Sequence, residues 1–414
     1  MKNEKKAITN AKEVRQNKLN VPTLRFKEYS DTWQETPFDS TFDILTNNTL
    51  SRAELNYEDG TYKNIHYGDV LIKFPAHIDV EDQEVPFVNE YSSSVKFDDA
   101  LLQDGDIVIA DTAEDYTVGK ATEIENSSMR KVVSGLHTIP CRPKMKFAAR
   151  YLGYYINSPA YHNQLIPYIQ GVKVSSVSKT LIKNTSISYP SYGEQSKIAE
   201  FLSALDSKIE TQNKIISKYE SLIKGIRHRI FTSIDNSKRV QLGSFLEEYS
   251  EKNTANNLQS VAVGKYGIRK REDIYSRELS SDYSKNKVIR KDTLIIGMGS
   301  TQIDIGILTT DDCYCVSPAY TTYHIKGINS FYLQEYLIEM NPLLSVRYMI
   351  TSARQGKAVN KDDLMRHFLT VHSLNQQEKI CKHFKSLYRR LQIEKEMLSA
   401  LQKQKAFLLQ SMFI

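Results

Sequence analysis

The sequence predicts an α+β protein built as a pseudo-twofold duplication. Two similar globular domains alternate with two long helices that pair as an antiparallel coiled coil. Three observations predict this: a heptad seam that occurs twice, a helix-start signature that recurs with it, and an order of short strands and turns replayed between the seams.

The seams lie in Ser191 to Phe231 and Ser373 to Phe413. In the first, Ile198, Leu202, Leu205, Ile209, Gln212, Ile216, Tyr219, Ile223, Ile226 and Ile230 step by four and three without a slip. In the second, Ile380, Phe384, Leu387, Leu391, Glu394, Leu398, Leu401, Lys405, Leu408 and Met412 do the same, each 182 positions after its counterpart. That alternation is the 3.5-residue repeat of a coiled coil. Ser191-x-x-Glu194 and Ser373-x-x-Gln376 are capping boxes expected to open both helices. A helix of this size runs to roughly 60 Å, long enough to act as a strut. A single amphipathic stripe reads as readily as one face of a globular core; two uninterrupted copies with matching starts do not.

Taken in order, residues 1 to 21 form a Lys-rich arm, read as solvated. A first domain, 22 to 189, opens with Trp33 to Leu45. Gly68-Asp69 and Gly105-Asp106 each look like a turn before a β-rich run, at 70 to 72 and 107 to 110. Lys131 to Ile139 reads as a further strand, and Ala148 to Ile156 as a short helix ending near Pro159. The first strut occupies 190 to 236. A second domain, 237 to 372, restarts at Val240-Gln241-Leu242-Gly243, with a strand at Lys291 to Ile296 and a short helix at Phe331 to Met340. The second strut is 373 to 414. The struts share seam and starts, whereas the domains share order more than side chains, as expected if one frame presents two different recognition surfaces.

Composition narrows the function. The net charge of +6 and pI near 8.8 permit a polyanionic partner without requiring one. Four cysteines, Cys141, Cys313, Cys315 and Cys381, are too sparse for a disulfide framework or zinc site and read as reduced structural thiols. No apolar run approaches membrane-spanning length and no signal peptide opens the chain, so the expectation is a soluble, cytoplasmic protein with no membrane partner.

No catalytic site is expected. There is no Gly-x-x-x-x-Gly-Lys phosphate loop, no His-Glu-x-x-His, no Gly-x-Ser-x-Gly and no methyltransferase Asn-Pro-Pro-Tyr stretch. Gly297-x-Gly299 reads as a turn into the next strand, and Asp111, Glu114 and Asp115 as a solvated loop, with a carboxylate cluster for metal or acid-base work as the alternative. The expectation is no metal ligands and no cofactor on this chain. What remains is polar recognition chemistry on loops, since Arg, Lys, Gln and Asn read base edges while Ser, Thr and Lys hold phosphates. The candidate DNA-binding residues in the first half are Lys73, Tyr116, Thr117, Lys120, Arg130, Gln170, Lys173, Ser175 and Ser176. Those in the second are Lys265, Arg269, Lys270, Arg271, Ser300, Thr301, Gln302, Arg354, Gln355, Lys357, Asn360 and Lys361.

The junction Tyr189-Pro190 into Gly193-Glu194-Gln195-Ser196-Lys197-Ile198-Ala199, its second copy Asn375-Gln376-Gln377-Glu378-Lys379-Ile380, and the openings Val21-Pro22-x-Leu24-Arg25-Phe26 and Gln241-Leu242-Gly243 resemble the specificity subunit of type I restriction-modification systems. The resemblance spans essentially the whole chain. The second copy departs from it, with His372 and Ser373 where proline is usual and Cys381 in place of alanine.

The resemblance implies two target recognition domains, each reading half of a bipartite DNA sequence, with the paired helices as spacer ruler and docking site. It implies two methylation subunits carrying S-adenosylmethionine, two restriction subunits using ATP and Mg²⁺, and no catalysis on this chain. The other reading is a coiled-coil adaptor that binds proteins through its two domains. Gln212 and Glu394, the polar seam members near mid-length, are expected to fix register. Lys405 has no evident partner in the sequence.

Overall fold

The computed structural model describes residues 21–414 apart from 82–83, 90–96, 172, 233–237, 265–266, 275–281 and 353–355; the side chains at 351–352 and 356–357 are likewise left out. The N-terminal arm therefore lies outside the described residues. The chain forms two compact units, one ending at Gln212 and rejoined by Met397–Ile414, the other Asn213–Glu396.

In the first unit, Gln34–Pro37 pairs antiparallel with Ser186–Tyr189, so the segment entering the domain is clasped to the one leaving it for the strut. A short turn of helix, α1 (Phe38–Thr41), follows. A five-stranded sheet runs in the order Phe42–Ile44, Thr138–Pro143, Ile107–Ala110, Ala121–Glu125, His77–Asp79, antiparallel except for the last pair. A smaller sheet pairs Lys131–Ser134 with Tyr62–Ile65 in parallel and continues through Phe87–Val88 to Leu55–Asn56.

Two local expectations are corrected. Gly68-Asp69 opens not a strand but helix α2 (Tyr67–Ile72). The His66 ring accepts from the Gly68 amide at 3.2 Å, and the buried Asp69 carboxylate takes Arg52 at 2.7 Å. An acid in a first turn complements the helix dipole, and helical turning puts Val70 in the core while Ile72 stands 85% exposed. Lys131 to Ile139 is two strands, Lys131–Ser134 and Thr138–Pro143, separated by a turn in which His137 has φ +54°. The expected short helix, α3 (Tyr151–Ile156), does end near Pro159, which itself opens a second helix, α4 (Pro159–Leu165), whose N-cap Ser158 makes proline favourable at the first position.

The strut α5 (Tyr192–Thr232) begins where the first domain closes. In the second unit Lys238–Gln241 clasps Phe368–Val371 as in the first. The sheet order Leu246–Tyr249, Thr321–Ile325, Thr293–Met298, Ile303–Leu308 repeats four of the first unit's five strands in topology and sense. Helix α6 (Ser330–Tyr348) is longer than the expected Phe331 to Met340 and carries Pro342 inside it. The small α7 (Lys361–Met365) precedes the last strand, and α8 (Leu374–Ser411) is the second strut.

Each strut ends in the core of the other domain. Within the first unit, Leu408, Met412 and Phe413 of the α8 end are buried with Trp33, Tyr151, Tyr155, Ile198 and Leu202, and Leu24 donates its amide to Ser411 at 2.9 Å. Within the second, Phe231 of the α5 end is buried with Tyr332, Tyr336 and Cys381. The start of one strut thus meets the end of the other in both units, which is antiparallel pairing. Gln195 and Gln377 play one part twice: Gln195 accepts from the Ala148 amide and donates to Pro190 O, while Gln377 accepts from the Asn329 amide and donates to His372 O.

Candidate DNA interface

In the first domain, the polar loop residues gather around a hairpin edge. Thr112–Ala113 pairs antiparallel with Ser175–Ser176, and Gln170 and Ser176 exchange backbone hydrogen bonds, so the loop of Gln170, Lys173, Ser175 and Ser176 lies beside the loop of Tyr116, Thr117 and Lys120. Tyr116 is 79% exposed at its tip. The tip is shaped by Asp115, whose carboxylate accepts from the Thr117 amide and hydroxyl at 2.8 and 2.5 Å and is held below the usual carboxylate range by those bonds. Asp111 likewise takes the Thr112 hydroxyl at 2.7 Å and faces His137. The acidic run shapes its loop.

Lys120 turns inward and donates to Leu71 O at 2.8 Å; burial, then the charge of Lys405, lowers its pKa. Lys73, at the end of α2, donates to the Tyr57 hydroxyl at 2.8 Å, and its ammonium lies 4.7 Å from the Tyr57 ring centre. Arg52 reaches the same hydroxyl at 3.2 Å. The sequence reading passed over Arg52 and Tyr57: the buried Asp69 carboxylate, 2.7 Å from Arg52 and 3.6 Å from Lys73, holds both cations beside this tyrosine, and the residues converge only through the fold. Arg130 stands apart from this group, facing Glu81 at 3.4 Å.

In the second domain Arg269 and Lys270, on strand Gly267–Lys270, and Gln302, just before Ile303–Leu308, line one open cavity of about 550 Å³. Lys270 stands 3.9 Å from Glu272, and Arg271 begins the following 3-10 turn. The turn bearing Ser300, Thr301 and Gln302 is tight: a Cβ on Gly299 would meet Gln302 O at 2.1 Å. Helix α6 anchors it, with Asn341 donating to Ile303 O at 3.0 Å and Ser345 accepting from the Ile303 amide at 2.9 Å. Neither anchor was legible as one in the sequence. Asn360 caps α7 through the Asp363 amide, and Lys361 opens that helix. Lys265, Arg354 and Gln355 lie outside the described residues, as does the side chain of Lys357.

Residues 30–221 match the model of the type I restriction modification DNA specificity domain. A curated relative, provisionally named the MjaX specificity subunit of a type I restriction enzyme from Methanocaldococcus jannaschii, is 23% identical over 326 residues, 73% of this chain and 76% of the relative. The chain is similar to the specificity subunits of type I restriction-modification systems. Solved structures agree in fold. The S subunit of the type I system of M. genitalium superposes with a TM-score of 0.54 at 14% identity, over 95% of this chain and 99% of that one. A chain from a structural study of complex assembly and conformational transition of the type I system gives 0.56 at 16% identity, over 91% and 96%.

The matched specificity domain runs from the entering clasp strand into α5, so it includes the strut start. There the expected capping box is corrected. Glu194 is buried, and both its oxygens accept from Arg25, each at 2.7 Å. Arg25, in the opening Val21-Pro22-x-Leu24-Arg25-Phe26, replaces the Ser191 amide as partner. At the second start, Gln376 does take the Ser373 amide and hydroxyl, at 3.1 and 2.9 Å. Among the described residues no group of acidic, His and Cys side chains is arranged to hold a metal ion. No described helix is long and apolar enough to cross a membrane.

Proposed function

We propose that this chain is a specificity subunit that reads DNA for a type I restriction-modification complex. The domains at 22–189 and 237–372 each take one half of a bipartite target. The struts at 190–236 and 373–414 set the spacing and dock the methylation subunits. The observation that carries this reading is one sheet topology used twice, on a duplicated helical frame, with different polar loops on each copy.

Direct readout needs donors and acceptors held in place before DNA arrives, because an unpaired polar group at a buried contact is costly. Arg269, Lys270 and Gln302 would read bases in the second domain, a reading supported by their lining one open cavity. In the first, Tyr116, Thr117 and the loop of Gln170, Lys173, Ser175 and Ser176 form the reading edge, with Lys73, Arg52 and Tyr57 set for the phosphate backbone. Two methylation subunits would bring S-adenosylmethionine and two restriction subunits ATP and Mg²⁺, in the cytoplasm where the DNA lies; this chain would supply no catalysis.

The test is co-expression with the methylation subunit of the same system in a methylation-free host, followed by genome sequencing for modified adenine. The expected result is one motif of two short unlike halves around a fixed spacer. Soluble, associated proteins that leave no methylation would overturn the reading.

A further inference from the structure

Each domain meets the two struts through a polar triad on three helices, and the two triads use different residues for the same parts. In the first unit, Tyr154 of α3 donates its hydroxyl to Asp206 of α5 at 2.8 Å. The other Asp206 oxygen takes Lys405 of α8 at 2.6 Å, and that ammonium lies 5.9 Å from the Tyr154 ring centre. In the second unit, Glu335 of α6 accepts the hydroxyl of Tyr388 of α8 at 3.0 Å and Arg227 of α5 at 2.9 Å, and Arg227 also reaches the Tyr388 oxygen at 2.7 Å.

The tyrosine and carboxylate positions correspond, while Lys405 and Arg227 differ by one helical turn. Phe413 packs on Tyr151 and Tyr155 in the first unit, and Phe231 on Tyr332 and Tyr336 in the second. Tyr154 and Glu335 each directly precede the second tyrosine of their pair, and Asp206 and Tyr388 stand at the same place of their struts, 182 residues apart. Tyrosine and carboxylate have exchanged helices. The cation comes both times from the strut that ends in the domain rather than the one that leaves it.

Burying such groups gains little stability over apolar residues of the same shape, whereas directional hydrogen bonds admit one rotation and one axial position where Leu-on-Leu packing admits several. Tyr154 and Glu335 are fully buried, and Arg227 is 13% exposed. We propose that Tyr154, Asp206 and Lys405, with Glu335, Tyr388 and Arg227, are positioning residues that fix the pose of each recognition domain on the struts and so set which half-site spacing the protein accepts.

This inference rests on the proposed DNA-reading function, and the assay separates the two. A wild-type complex that leaves no bipartite methylation pattern removes that function before any variant is made. Given the wild-type pattern, the variant Tyr154→Phe/Asp206→Leu/Lys405→Met is expected to keep both half-site sequences while methylation at spacers one base pair shorter or longer rises at least tenfold. Transplanting the second triad as Tyr154→Glu/Asp206→Tyr/Lys405→Ile/Leu409→Arg, which puts the arginine at the position matching Arg227, should restore the single spacer. An apolar variant that methylates at the wild-type spacer alone would overturn the proposal. If that variant does not fold, Tyr154→Phe removes one hydroxyl and is read the same way: added spacers support the proposal and an unchanged spacer overturns it.

Discussion

Arg25 holds both oxygens of Glu194, a carboxylate 1% exposed at the first turn of α5, and Glu194 raises the Arg25 pKa mainly through that hydrogen-bonded contact. Removing one partner of a buried pair strands the other, so Arg25→Ala should cost about 3–5 kcal/mol in chemical unfolding. A cost below about 1 kcal/mol would mean that water reaches Glu194. Glu123 is the opposite case. Burial pushes its carboxyl from 4.5 up to about 7, against the pull of the Gly153 and Arg150 amides that it accepts at 2.9 and 2.6 Å. The folded state therefore holds this proton more tightly than the unfolded chain. The resulting stability is full below 4.5 and is lost as pH rises through about 7, a swing of roughly 3 kcal/mol. Burial lowers the pKa of His66, His367 and His372, and their contributions run the other way, present above the usual histidine value and lost as pH falls. The measurement is therefore a difference: Glu123→Gln should gain on wild type between about pH 4.5 and 7, and a pH-independent difference would contradict the assignment.

At the scale of elements, the struts combine an apolar seam with buried polar members. Gln212 is 4% exposed and Glu394 7%, the latter taking Arg390 one turn before it at 2.8 Å. Polar groups in such a seam cost stability, so Gln212→Leu with Glu394→Leu should raise the unfolding free energy by about 1–4 kcal/mol. If they also fix register, spacer selectivity should broaden in the same variant; an unchanged spacer would leave register to the apolar residues. The heptads made the struts legible, because period and start are local properties. The correction at Glu194 was not, since Arg25 lies far off in sequence. Lys405 gains its account in the same way: Asp206 and Tyr154 meet it only once α8 returns to the first domain.

At the scale of the molecule, the proposed function assigns each half-site to one domain, and the candidate loops of the two domains differ, so their contributions should separate. Arg269→Ala with Gln302→Ala should weaken base choice in one half of the target only, by about 1–3 kcal/mol for each bidentate side-chain–base pair removed. Methylome sequencing of the variant complex would show that half degenerate and the other intact. Degeneracy in both halves, or in neither, would place the second domain's reading residues elsewhere. The order of elements in this domain was legible in outline, while the groove joining strand Gly267–Lys270 to the turn before Ile303 was not. Asn341 and Ser345 hold that turn from α6, and nothing local marks a helix residue as a loop's anchor.

The duplication, the two struts and the alternating order of the domains are written in the linear chain, because heptad spacing, turn residues and matched starts are set within a few residues. Folding was needed to settle that Gly68-Asp69 starts a helix, that Glu194 answers Arg25 rather than Ser191, and that Tyr154, Asp206 and Lys405 repeat with other residues what Glu335, Tyr388 and Arg227 do. These are choices between partners distant in the chain. Desolvation drives them, since a buried charge takes whichever donor the packing brings within reach.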